Sequence, residues 1–536
     1  MVYLYGASVQ GIQGFIFQTN KLKEIVGASE LVEQICTNEF DTFCEEKGIK
    51  LSSDDFIIKA AGNIKYLFQS DEDCKLIVKE FPKRIANLAP GITISQAVVQ
   101  YCENLPDTIN ALETKLKAQQ SKVSMPIESG FMGLERDRRA GGVAVPQNVE
   151  NEIICSATEA KIKFSKKAQV FKSVAGEENV NIDNLPLVVE KITEGSKNSW
   201  LAIIHADGNA LGILLQTLGK KLKEKSFSEE KVKSAFSTFS RNIDTATKNA
   251  AQSAFKKIVE NIWTNDKLTC YPIRPVILGG DDLTVIIRAD LALDFTIEFL
   301  KAFETQTKDQ FAFLKDKYRV DGFENGITAC AGIAYIKEKY PFHYGVHLAE
   351  LLTSKAKKFS TQDKFKKFPD NEGINIPPSS LSFYKVQSSF IESLDDMTKK
   401  TLTAEISNVS FDYGPYLIKK NEEKPEEPTV QMLKTKLDVL EKEVERRDKS
   451  KAVSKLRQWI SELYKDKTTA EFMMTRMEQT EKSRGDENLY KSLGLENALE
   501  EITYTQEQIE KNNGKKILPK HKTIIYDVTQ LHSLKY

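Results

Sequence analysis

The chain has 536 residues and a mass of 60.5 kDa, too many for one hydrophobic core, so about two to four domains are expected. Hydrophobic residues at 40% and charged residues at 28% describe an ordinary globular protein and exclude a disordered or collagen-like chain. Lys plus Arg equals Asp plus Glu at 76 each, so no global field marks a nucleic-acid coat or a binder of acidic membranes, and any polyanion site must be local.

Seven scattered cysteines with no CxxC spacing argue against a disulfide framework or a zinc ribbon and fit a reducing cytoplasm. The uncharged first twenty residues lack a basic flank and are interrupted by Gln10, Gln13 and Gln18, so secretion is not expected. No stretch reaches the roughly 18 apolar residues that cross a bilayer, and no membrane partner is expected.

In chain order, Val2 to Phe17 reads as a strand interrupted by Gly6, Gly11 and Gly14, and Leu22 to Phe43 carries one helical apolar period. Phe56 to Ile58 and Ile64 to Phe68 flank a Gly62, Asn63 turn and form a hairpin. A helix from Glu72 to Leu88, a strand from Ile92 to Tyr101 and a helix to about Ala118 follow. The order then repeats. Trp200 to Ala206 is a buried strand, helices fill Leu211 to Ile262, and Pro275 to Leu278 and Leu283 to Ile287 flank Gly279, Gly280, Asp281, Asp282. A helix from Leu291 to Lys315, a strand from Gly326 to Ile336, a helix from Tyr344 to Lys358 and an edge strand from Leu381 to Tyr384 complete the unit. The fold class is α+β, with two ferredoxin-like βαββαβ modules at 1–121 and 197–385 and a mostly helical C-terminal domain at 386–536.

Residues 122–196 form an irregular insert with a charged cluster from Glu135 to Arg139 and a flexible Gly141, Gly142 pair. Lys419 to Pro428 reads as an extended, exposed linker. Leu433, Leu437, Leu440 and Val444 then line one face of an amphipathic helix that packs on its own domain.

Chemistry concentrates on Asp207, Asp281 and Asp282, because in a βαββ unit the first strand lies beside the hairpin and a carboxylate at its end can meet those of the turn. Such a set suits Mg²⁺ or Mn²⁺, which takes carboxylate and phosphate oxygens. Strand alternation sends Asp281 and Asp282 to opposite sides unless the turn twists both inward, which ranks Asp281 first as a direct ligand. Gly279 and Gly280 let a nucleotide approach the hairpin. Gly208 and Asn209 open a helix whose free amides can seat phosphate. Lys357 can neutralise a triphosphate, whereas the rest of the lysine-rich run to Lys367 reads as a solvated face. Two Asp after two Gly are also good turn formers, so the acidic reading rests on the whole set. His205 reads as a packed histidine, and zinc hydrolysis has no motif.

HADGNALG at 205–212, PIRPVILGGDDLTVII at 272–287 and AELLTSKAK at 349–357 resemble the large subunit of type III CRISPR effector complexes, and KLKEIVGASELV at 21–32 and IIYDVTQL at 524–531 resemble its first palm and its C-terminal helical domain. The resemblance implies two facing palms that bind two ATP molecules and join adenylates into a second messenger when target RNA is bound. It places Asp207, Asp281 and Asp282 on the metals, Gly279 and Gly280 in the hairpin, Lys357 on phosphate and Ser29 against a second ligand. It implies partner subunits carrying a guide RNA, with target RNA met indirectly. Ala60, Ala61, Gly62 and Asn63 stand where the first palm would carry GGDD, so that module is expected to bind nucleotide without catalysis. The chain opens directly on the first palm, so the HD nuclease of many members, and DNA cleavage with it, is expected to be missing. The four-cysteine zinc site of many members is reduced to Cys155, so no zinc is expected. Some HD-less members of the Cmr-type branch join AMP to S-adenosylmethionine, which leaves the acceptor open between that molecule and ATP. A non-catalytic nucleotide-binding scaffold and a free-standing nucleotide cyclase are the rival readings.

Overall fold

The computed structural model describes residues 2–60, 62–101, 104–122, 132–146, 152–176, 180–323, 325–365, 376–387, 393–421, 424–446, 451–483, 488–502 and 518–535. In the first module β1 (Tyr3–Gln10), β2 (Phe56–Ala60), β3 (Asn63–Phe68) and β4 (Thr93–Gln100) form an antiparallel sheet in the order β2-β3-β1-β4. Helices Leu22–Ile35 and Asn38–Glu46 link β1 to β2, and helix Asp71–Leu88 links β3 to β4. The expected single helix from Leu22 to Phe43 is two helices that break at Cys36 and Thr37. Its apolar period runs through the break because Phe40 and Phe43 of the second helix enter the same core. The strand expected to reach Phe17 ends at Gln10, where Gly11 at φ 59 starts a short helix, Ile12–Ile16.

The second module repeats the plan with β5 (Trp200–Gly208), β6 (Ile273–Gly279), β7 (Asp282–Arg288) and β8 (Ala329–Lys337) in the order β8-β5-β7-β6. β5 is apolar almost throughout because it is central, paired with β7 on one side and β8 on the other. Helices Leu211–Glu224 and Glu229–Ala254 follow β5, Ala289–Tyr318 follows β7, and Phe342–Ser360 follows β8. β9 (Ser380–Lys385) then pairs in parallel with β8. It is not the outermost strand expected, because β12 (Tyr416–Leu417), after the short strands β10 (Thr403–Ala404) and β11 (Val409–Ser410), pairs with Ser380 and Leu381 on its far side.

β10 and β11 join β13 (Glu500–Glu501) and β14 (His521–Lys522) in a second small sheet, so the C-terminal region mixes this sheet with helices. Helix Val430–Arg446 buries Leu433, Leu437 and Leu440 and packs on helix Ile525–Lys535. The segment read as a linker folds back instead: the Leu417 amide donates to the Pro428 carbonyl at 2.8 Å and Glu427 pairs with Lys364 at 2.5 Å. Its Glu422 and Glu423 lie outside the described residues.

The two modules are sealed together along β6. Val276 is the bulged residue of that edge strand, and a bulge turns its carbonyl out of the ladder. Ser29, buried on helix Leu22–Ile35, donates its hydroxyl to that carbonyl. The insert completes the seam. Its helix Ser156–Phe164 runs so close to Gly27 that a Cβ there would stand 1.6 Å from the Lys161 carbonyl, so only glycine fits. The Lys161 ammonium donates to the Phe15 carbonyl at 2.6 Å, and burial lowers its pKa to about 8. The charged cluster folds around Asp137, whose carboxylate accepts from the Thr158 hydroxyl at 2.6 Å and the Cys155 amide at 3.1 Å, while Arg139 reaches Glu24 at 2.5 Å.

Candidate metal and nucleotide site

Asp207 is the penultimate residue of β5, one step beyond the Ala206 to Leu283 pair, which sets it beside Asp282 at the start of β7. Gly279 pairs with Asp282, so Gly280 and Asp281 alone make the turn. Gly280 has φ 60, the left-handed region that L-residues avoid, and its carbonyl accepts from the Thr247 hydroxyl at 2.6 Å. This turn brings both hairpin carboxylates inward: one oxygen from each of Asp207, Asp281 and Asp282 lies within 4.8 Å of the others. The alternation that separates neighbours along a strand does not apply to Asp281, because it sits in the turn.

Gly208 is the floor of this cluster. A Cβ on it would stand 2.6 Å from Asp281 Oδ2, and its amide donates to the Asp281 carboxylate. The Lys357 ammonium pairs with Asp207 and donates to the Gly208 carbonyl at 2.8 Å. Asn209 is turned inward. Its amide and side chain bond the Thr328 carbonyl and hydroxyl at 2.8 and 2.9 Å, so it braces the β5 end rather than facing the cluster. Ser29, engaged with Val276, is likewise set in the seam. His205 is packed as expected, with Nδ1 3.0 Å from the Thr284 hydroxyl and its pKa lowered by burial. Of the remaining lysines, Lys355 pairs with Asp412 and Lys364 with Glu427, while Lys366 and Lys367 lie outside the described residues.

Three carboxylates face one lysine, and the imbalance is visible in their protonation. Burial, then the Asp207 carboxylate, pushes Asp281 up to about 6. Burial, then Asp281 and Asp207, pushes Asp282 up to about 8. An all-oxygen donor set that resists its own ionisation is what a hard divalent cation relieves, so the residues fit such an ion. Two residues near the cluster escape sequence reading. Thr247 lies on a helix distant in sequence from the turn that it holds, and no local signal marks it. Glu350 stands two turns before Lys357 on one helix face, has a buried Oε1 with no hydrogen-bond partner, and is pushed up to about 7 by burial. Its spacing of seven from Lys357 is a signal that could have found it.

Residues 200–366 match the family described as Cas10/Cmr2, second palm domain, and the HADGNALG, GGDD and AELLTSKAK segments all fall inside that span. The second module is a palm of this type. No curated protein sequence matches the chain. Among solved structures, a Csm1-Csm4 cassette in complex with cA4 is similar at 15% identity and a TM-score of 0.42, over 67% of this chain and 53% of that one. A Csm1-Csm4 cassette in complex with pppApA is similar at 12% identity and a TM-score of 0.48, over 99% of this chain and 69% of that one. The chain therefore spans about half the length of the first of these relatives. Among the described residues no helix is long and apolar enough to cross a membrane.

Proposed function

We propose that this chain is a metal-dependent adenylyltransferase, the large subunit of a type III CRISPR effector complex that makes an adenylate second messenger from ATP on target RNA binding. The observation that carries this reading is the convergence of Asp207, Asp281 and Asp282 at the strand ends of a Cas10/Cmr2-type palm. Mg²⁺ or Mn²⁺ held by these carboxylates would supply the positive charge that activates an acceptor hydroxyl and steadies departing pyrophosphate. The protein's own part is positioning and charge. Asp281 is held over Gly208, Lys357 stands where it can exchange Asp207 for a phosphate oxygen, and the bare Gly280 leaves open space beside the turn.

The acceptor has room next to that turn. A cavity of about 1030 Å³ opens between β2 and helix Glu229–Ala254, lined among others by Phe56, Lys59, Arg241 and Gly280. Its contents decide whether the acceptor is a second ATP, giving a cyclic oligoadenylate, or S-adenosylmethionine, giving an AMP conjugate. The retained acids favour an enzyme over the scaffold reading, since a module with no chemistry has no use for three mutually repelling carboxylates.

The test is incubation of the purified protein, alone and with partner subunits, guide and target RNA, with ATP, Mg²⁺ or Mn²⁺ and S-adenosylmethionine, and identification of products by mass spectrometry. An adenylate product lost in Asp281→Ala/Asp282→Ala is expected. Nucleotide binding with no product under any condition would establish the scaffold instead, and full activity without RNA would establish a free-standing cyclase.

A further inference from the structure

At the opposite end of β5 from Asp207, seven residues and about 23 Å away, Trp200 sits under two cations. Lys337, its register partner at the end of β8, places its ammonium 4.3 Å from the indole centroid, and Lys385, from the end of β9, places its own 4.5 Å from the same ring. Cation–π contact explains how the ring tolerates either lysine, but two ammoniums drawn to one ring also repel each other. Arg457, exposed on helix Lys451–Leu463, adds a third positive charge that acts on Lys385. Burial, then Arg457 and Lys337, lowers the Lys385 pKa to about 8.

Among the described residues no carboxylate pairs with this group. Among the described residues neither Lys337, Lys385 nor Arg457 has an ion pair, and the one side-chain hydrogen bond of Lys385 goes to the Ser533 hydroxyl. The acids of the surrounding elements are spent elsewhere: Glu338 accepts from Thr193 at 2.5 Å, Asp294 pairs with Lys434 at 2.6 Å, and Glu441 pairs with Lys535 at 2.7 Å. In a chain of zero net charge, two ammoniums gathered on one ring, with a guanidinium acting on one of them and no ion pair among the described residues, are a local concentration of positive charge. We infer that Lys337, Lys385 and Arg457, with the Ser533 hydroxyl, form a binding site for a phosphate group where the second palm meets the C-terminal region.

The ligand class follows from the donors. Two ammoniums and one guanidinium carried by three separate elements can each meet a different oxygen of a tetrahedral oxyanion, whereas a planar carboxylate offers only two oxygens. Trp200 is too buried to stack on a base, so the site reads charge rather than sequence. The phosphate can come from an RNA backbone or from a free phosphate compound, and the site stands apart from the acidic cluster whatever that cluster does.

The full chain carries its own reporter, because an anion that draws the ammoniums off the indole alters Trp200 emission. Inorganic phosphate, pyrophosphate and a short oligouridylate are titrated into the wild type and into Trp200→Phe, and the difference in emission isolates this site. Saturable binding is expected, weakened about tenfold or more in Lys337→Gln and in Arg457→Gln, both at exposed positions that leave the core untouched. It is retained in Lys385→Arg and in Lys357→Gln. Oligouridylate binding well ahead of pyrophosphate identifies an RNA backbone as the source, and the reverse order a free phosphate compound. Absence of any Trp200-dependent change at millimolar ligand, or affinities that the Lys337 and Arg457 substitutions leave alone, overturns the assignment.

Discussion

In the first module Ser8 on β1 faces Asn63 on β3, as Asp207 stands beside Asp282 in the second, and Gly62 takes the turn position of Asp281. The strand order and hairpin register are the same, yet the two turns are held differently. In the second module the amide of Gly208 is free to donate to the Asp281 carboxylate. In the first, the equivalent amide, that of Val9, closes the turn by donating to the Gly62 carbonyl at 2.8 Å. A Cβ on Gly62 would stand 2.7 Å from Ile12 Cδ1, so the space an acid would need is filled with hydrocarbon. Gly280, first in its turn, is left-handed in the second module, and Gly62, second in its turn, is left-handed in the first. Ala61 lies outside the described residues. One frame can therefore carry an acidic cluster in one module and none at the matching turn of the other, because apolar strands stabilise the frame whatever residues the turn holds.

This contrast can be broken, beginning with its largest expected effect. Asp281→Asn/Asp282→Asn should lower adenylate formation at least about a thousandfold with circular dichroism unchanged, since preorganised charge at a reacting centre is worth this much. Gly208→Ala, which pushes a methyl into Asp281, should cost about a hundredfold in kcat while nucleotide binding persists. The reverse graft, Ser8→Asp/Gly62→Asp/Asn63→Asp, should gain no divalent affinity by calorimetry and should lower unfolding stability by about 2 kcal/mol, because a left-handed Asp and uncompensated charge are both unfavourable there.

Protonation sharpens the same contrast. Asp281 and Asp282 hold protons in the folded protein, up to about 6 and about 8, that an unfolded Asp releases near an ordinary value of about 3.9. The metal-free protein binds more protons folded than unfolded across that window, so its stability falls as pH rises from about 4 to about 8. Divalent affinity moves the other way, rising about tenfold or more between about pH 6 and about pH 8, as calorimetry would read. Asp281→Asn/Asp282→Asn should flatten both slopes. The smallest effect belongs to Thr247→Val, which frees the Gly280 carbonyl and should cost about 1 kcal/mol of stability and a severalfold loss of rate.

Much of this was legible in the residues themselves. Period-two and period-3.6 patterns located the four main strands of each module and most of the helices between them, though not helix Ile12–Ile16, the break at Cys36 and Thr37 or the short β12, and two apolar runs around GGDD placed the hairpin. What escaped was set by contacts distant in sequence. Ser29 looks like an open helix position until the Val276 bulge turns a carbonyl toward it. Asn209 looks like a phosphate seat until Thr328 claims both its amide and its side chain. β10 to β14 are two residues long, too short for any alternation to show. The insert has no period because its work is point contact, Lys161 on Gly27 and Asp137 on Thr158, and parts of it lie outside the described residues.

β12 has a consequence for the order in which the molecule can be built. A sheet that begins at Trp200 receives its last strand only at Tyr416, after β10 and β11 have been laid down. During synthesis the second palm is therefore emerged but unfinished for the length of that detour, with the far side of β9 presenting unpaired amides and carbonyls. A fragment cut after β9 carries that liability permanently, so this palm is best produced with the strand that closes it.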